Sequence, residues 1–178
     1  MSRLPLLNKD EVPTEYHDIF GVGMNLHRQT LHSPKLARLS RQMGLYFRRE
    51  SPLAPRLCEL AILQVAWLAR SPYEYSHHLK IALGAGVSGD ELSRLSRGEP
   101  LPDGQGECVR RAVTDIVEDG EVSEASFAAL SAVLENDQIV DLIFLASFYV
   151  GFTRFTASLK LQVEPDYEPF LNAYPLPD

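Results

Sequence analysis

The chain has 178 residues, 45% of them hydrophobic, enough for one sizeable core and too few for two ordinary domains, so we expect a single domain over 1–178. Its 17 Lys and Arg against 24 Asp and Glu leave a net charge of -7, and the only local basic cluster is Arg38, Arg41, Arg48 and Arg49, which argues against a nucleic-acid partner. The start MSRLPLLNKDEVP lacks the apolar core of a signal peptide, and the apolar stretch 139–159 is interrupted by Asp141 and Arg154, so we expect a cytoplasmic protein with no membrane partner.

Alternating strand patterns are scarce and helix punctuation recurs, which predicts an all-α chain. A first helix is expected over 14–30 with Thr14 as N-cap, and Ser33-Pro34 opens a second through Leu36, Leu39, Met43 and Tyr46. The third, 55–69, is apolar nearly all round, the mark of a short helix inside a protein core. Ser71-Pro72-Tyr73-Glu74 starts a fourth, which stops near Gly84-Ala85-Gly86. Ser88 to Glu91 has the form of another capping box, for a helix to about residue 97. The glycine- and proline-rich stretch 98–106 is a linker, followed by a helical part, 107–162, with helices over 107–118, 123–134 and 137–161. The proline-rich tail VEPDYEPFLNAYPLPD is expected to run extended over the surface.

Glu59 is the first candidate for chemistry, because helical spacing puts it on one face with Ile62, Leu63, Ala66 and Trp67. A carboxylate on such a face has to be paired, hydrogen-bonded or protonated, unless its place in the first turn leaves it in water. In the fourth helix Glu74 and His78 share a face with Ile81, Ala82 and Ala85. A capping box would account for Ser71 and Glu74 without any substrate. His77 and His78 point about 100° apart, so at most one should face a given pocket, and His78 has the small-residue face. Glu74-x-x-His77 has the spacing of a di-iron half-site, but no second Glu-x-x-His occurs, so no metal is expected. Cys58 is rotated about 100° from Glu59 and reads as a small core residue. Cys58 and Cys108 are far apart in sequence and fit neither a disulfide scaffold nor a zinc site.

Three segments within 32–95 carry a resemblance: R-x-x-E-L-x-I-L from Arg56 to Leu63, Y-E-Y-x-x-H from Tyr73 to His78, and A-x-x-x-G-V-S-x-x-E-L from Ala82 to Leu92. Together they resemble the carboxymuconolactone decarboxylase family, which includes the alkyl hydroperoxidase D-like proteins. The resemblance implies a helical bundle in which an antiparallel helical hairpin carries the site, and a homo-oligomer (dimer, trimer or hexamer). In the peroxidase branch a glutamate, a C-x-x-C pair and a histidine form the site. Aligning that histidine with His78 puts the glutamate on Glu59 and the two cysteines on Ser71 and Glu74, so both thiols are absent.

A decarboxylase-like lyase without cofactor is then expected, acting on a small organic acid or lactone. Glu59 and His78 would be its proton-relay pair, Glu74 a second acid, and Ser71, Tyr73, His77 and Trp67 its substrate-binding residues. The alternatives are a non-catalytic ligand-binding or scaffold member, and a peroxidase, which would have to use Cys58.

Overall fold

A computed structural model describes residues 2–177. It contains ten α-helices and three short 3-10 turns, with no strand among the described residues. The single helix expected over 14–30 is instead two pieces, α1 (His17–Phe20) and α2 (Asn25–Thr30). Gly21 and Gly23 between them take φ of 54° and 79°, a conformation that breaks a helix and that glycine adopts without a Cβ clash. Thr14 is not an N-cap; it lies inside a 3-10 turn, Thr14–Tyr16, behind Pro13.

α3 (Pro34–Arg49), α4 (Pro55–Leu68) and α5 (Pro72–Gly84) each open on a proline at the first helical position, where its missing N–H costs nothing. α6 (Gly89–Ser96) forms the expected capping box, with Ser88 Oγ accepting from the Glu91 N–H and Glu91 Oε2 accepting from the Ser88 N–H. The free oxygen of Glu91 takes the Arg56 guanidinium, which also reaches Asp103 Oδ2 at 3.2 Å. Two of the three motif segments singled out in the sequence are thus joined by an ion pair that fixes the start of α4 against α6. α7 (Gly104–Glu118) begins inside the expected linker, because Asp103 accepts the Gly106 N–H at 2.7 Å and acts as N-cap.

α8 (Glu124–Ser131) and α9 (Asn136–Leu159) follow, and the tail, expected to be extended, folds into a 3-10 turn (Pro165–Tyr167) and α10 (Glu168–Ala173) packed on α5. The core is built around α4, whose residues from Leu57 to Ala66 are all buried and which packs against α5, α7 and α9. Among the described residues α9 alone is long and apolar enough to cross a membrane. Its Ile139, Leu142, Leu145 and Ala146 are buried in this same core, so it is a core helix.

The turn between α4 and α5 decides where the site falls. Arg70 sits in the left-handed region at φ 48°, its N–H bonded to Trp67 O and the Ser71 N–H to Ala66 O, so the chain reverses within three residues. A side chain in this conformation costs about 1–2 kcal/mol that glycine does not pay. Arg70→Gly is therefore expected to raise stability by about 1 kcal/mol in urea unfolding, without disturbing the hairpin.

Candidate active site

The tight turn makes α4 and α5 antiparallel, and Glu59 near the start of α4 meets His78 in the middle of α5. His78 Nδ1 lies 2.7 Å from Glu59 Oε2, with both side chains buried. The carboxylate can only accept, so the proton sits on Nδ1 and Nε2 is turned toward Tyr149 of α9, whose hydroxyl is 3.3 Å away. The Tyr149 ring stands edge-on to the imidazole at 5.2 Å. Glu74, one turn before His78, brings its Oε2 to 3.8 Å from Nε2.

The capping box expected at S-P-Y-E does not form. Ser71 and Pro72 do occupy the cap and first positions, but Ser71 makes no side-chain cap bond. Glu74 turns inward to His78, and its Oε1 is buried without any hydrogen-bond partner. Capping therefore does not account for Glu74. A buried polar atom left unpaired is costly, which is why such atoms call for an explanation in function.

Burial raises Glu74 above the ordinary carboxyl value, with His78 and His77 offsetting only part of it. For His78 burial works downward but is outweighed by Glu59, as charge and as hydrogen-bond acceptor, and by Glu74, so it is raised overall. Burial, then the charges of Glu74 and Glu59, push Tyr149 well above 10.0. The surroundings thus favour the protonated form of His78 through Glu59, and the neutral forms of the Glu74 carboxyl and the Tyr149 phenol through burial.

Both raised groups make the folded state hold more protons than the unfolded chain. The stability due to Glu74 is complete below 4.5 and is lost as pH rises through its folded value; that due to His78 behaves likewise from 6.5 upward. The melting temperature should fall as pH rises across this interval. Glu74→Gln, followed by circular dichroism at several pH values, should show a shallower fall and melt above wild type at the alkaline end.

A cavity of about 440 Å³ opens onto Glu74, His78 and Tyr149, with Arg48, Phe152 and Tyr167 among its other walls. Beside it lies a more open cleft of about 600 Å³, lined by Glu59, Cys58, Arg48, Arg49, Lys80 and Tyr167. The Glu59–His78 bond therefore joins groups that face two different spaces. Cys58 in the outer cleft is held by burial, then by the Glu59 charge, at about 12, so its sulfur stays a thiol at neutral pH.

Residues 34–113 match the family model described as the carboxymuconolactone decarboxylase family. Over this region the chain is similar to the carboxymuconolactone decarboxylase family. The region includes Glu59, Glu74 and His78 and ends inside α7, while Tyr149 and the tail lie outside it. No curated protein matches the chain. Among solved structures, an uncharacterised peroxidase-related protein from Ralstonia eutropha JMP134, described as an alkylhydroperoxidase core, superposes with a TM-score of 0.82 at 15% identity, covering 99% of this chain and 98% of the other. A peroxidase-related protein from Silicibacter sp. TM1040 gives 0.78 at 17% identity, over 93% and 92%. A protein of unknown function from Agrobacterium tumefaciens gives 0.68 at 20%, over 76% and 95%. The fold beyond the carboxymuconolactone decarboxylase region is therefore also the alkyl hydroperoxidase D-like bundle.

Of the residues expected to bind substrate, two are placed elsewhere. Trp67 lines neither space; its Nε1 donates to Ser96 O at 3.2 Å and its ring packs against Gly98. Ser71 is buried at the hairpin turn, outside both. His77 and His78 both line the inner cavity, against the expectation that only one would, because the cavity extends around α5 toward α2 and the tail. Tyr73 also lines it, but its hydroxyl is already engaged by the Leu26 N–H at 3.0 Å and by Glu164 at 3.2 Å.

Tyr149, Glu164 and Tyr167 are not among the residues expected at the site, and Arg48 stands out in the sequence only as part of the basic cluster. Pro165 and Pro169, at the starts of short helical turns, were the available signal that the tail folds back.

Proposed function

We propose that this protein is a cofactor-independent acid–base lyase of the decarboxylase type, acting in the cytoplasm on a small organic acid or lactone. The observation that carries the reading is the buried Glu59–His78 bond beside a Glu74 carboxyl whose Oε1 faces no protein partner. Arg48 and Arg49 support an acidic substrate, since both line the outer cleft and also border the inner cavity.

In the reaction the carbon–carboxylate bond breaks, CO2 leaves, and the electron pair passes into a conjugated carbonyl of the substrate. Glu74 delivers its proton to the carbon that lost CO2. His78 returns a proton to Glu74, and Glu59 holds the imidazolium and exchanges protons through the outer cleft. The balance is one carboxylate and one proton consumed, one C–H bond and one CO2 formed, with no oxidant or reductant. General acid–base placement of this kind contributes about 10²–10⁴-fold in rate.

Thiol peroxidase chemistry is disfavoured, since Ser71 and Glu74 occupy the positions of the paired thiols and Cys58 remains protonated. We also propose a homo-oligomer, supported by Val140 and Phe144 exposed on α9 and Leu36 and Leu39 exposed on α3.

The test is turnover of unsaturated lactone acids and keto acids in D2O, read by mass spectrometry. One deuterium per product at the carbon that lost CO2 is expected. Absence of decarboxylation across the series, with unaltered substrate recovered, would leave a ligand-binding protein in place of the enzyme.

A further inference from the structure

The C-terminal segment enters the site as a wall. Past α9, Glu164 Oε1 accepts from the Asn25 N–H at 2.7 Å and from the Tyr73 hydroxyl at 3.2 Å. Glu164 Oε2 lies 2.9 Å from His77 Nε2, without the alignment of a hydrogen bond. Burial works to raise Glu164, but the His77 ring and the Asn25 N–H outweigh it and hold the carboxyl low, so the latch is charged at neutral pH. Asn25 adds a second tie, its Nδ2 donating to Gln162 O at 2.9 Å.

Three residues beyond the latch, the Tyr167 ring stacks on His77 with centroids 3.8 Å apart, and Tyr73 stacks on the same imidazole at 4.3 Å. The Lys80 ammonium lies 5.3 Å from the Tyr167 ring centre.

Four residues border both the inner cavity and the outer cleft: Arg48, Arg49, Ile81 and Tyr167. The two arginines are exposed and can swing, and Ile81 is short. Tyr167 supplies the one rigid plane, held by its stack on His77 and by the Glu164 latch. We infer that Tyr167 is a specificity-determining residue: its ring partitions the inner cavity from the outer cleft and sets the longest ligand that the acid–base groups can receive.

Without the ring the two spaces join, and a ligand seated at Glu74 and His78 can extend an apolar arm into the cleft. Substitution at Tyr167 should therefore favour long ligands over short ones and leave short ones nearly unaffected, since these never reach the partition. The inference rests on the inner cavity being the ligand site, as proposed above, but it concerns binding and not turnover.

The experiment is isothermal titration calorimetry with two probes, phenylacetate and 8-phenyloctanoate, on wild type, Tyr167→Ala, Tyr167→Phe and Tyr174→Ala. The ratio of long-probe to short-probe affinity should rise about tenfold or more in Tyr167→Ala, as expected when a few more methylenes leave water. Tyr167→Phe keeps the ring and should keep the wild-type ratio. Tyr174, in the same tail but directed at Gly89, should also leave it unchanged on substitution.

An unchanged ratio in Tyr167→Ala, including failure of both proteins to bind the long probe, overturns the inference. So does an equal rise in Tyr174→Ala, which would mean general loosening of the tail, or a rise in Tyr167→Phe. Repeating the titration in a His78→Asn background separates the two readings: the partition effect should persist there even though proton transfer is removed.

Discussion

His78→Asn should lower turnover by about 10²–10⁴-fold, with KM changing by no more than about threefold. Asparagine has nearly the reach of the imidazole as far as Nδ1, so it can still donate to Glu59 Oε2, where His78 now sits at 2.7 Å. What it lacks is a second nitrogen that binds and releases a proton next to Glu74 and Tyr149. Loss confined to kcat is the signature of an interaction needed for the chemical step and not for holding the substrate. A residue that only packed the core would move KM and stability together.

Glu59→Ala is the substitution with the largest expected cost to the fold. Glu59, as charge and as hydrogen-bond acceptor, supplies most of what offsets the burial of His78, with Glu74 adding to it, so its removal leaves a buried imidazole without the main partner that stabilises its proton. Breaking a buried pair from one side costs about 3–5 kcal/mol. For a chain of this size that is a fall in melting temperature of roughly 6–20 °C. Glu59→Gln keeps the volume and an acceptor for Nδ1–H, so most of that loss should be absent. Urea unfolding of the two variants against wild type measures the difference, and equal stability of Glu59→Ala and wild type would mean that the pair contributes nothing to the fold.

Much of this arrangement was legible in the chain. Prolines at the first positions of α3, α4 and α5 and the Ser88–Glu91 box mark helix starts by local chemistry, which sequence reports directly. Glu59 stood out because a carboxylate on an apolar helix face needs a partner, and the short turn to the next helix left few candidates besides His78.

For Glu74 the sequence supports two roles, a cap that satisfies the local S-P-Y-E rule and a second acid beside His78, and only the packing of α5 reveals that the carboxyl turns to His78 and makes no cap. The break between α1 and α2 needs the positive φ at Gly21 and Gly23, which the apolar spacing across 14–30 conceals. Glu164 and Tyr167 lie far along the chain from His77, so their contacts depend on how the tail returns to α5, which no local pattern encodes.

Parallel turnover of wild type and Glu59→Gln on lactone acids, keto acids and hydroperoxides, followed by mass spectrometry, tests the acid–base assignment most directly. The expected result is decarboxylated product from wild type, at least about a hundredfold less from a folded Glu59→Gln protein, and no hydroperoxide reduction by either. Full turnover by Glu59→Gln would contradict the assignment, and so would hydroperoxide reduction that disappears in Cys58→Ser.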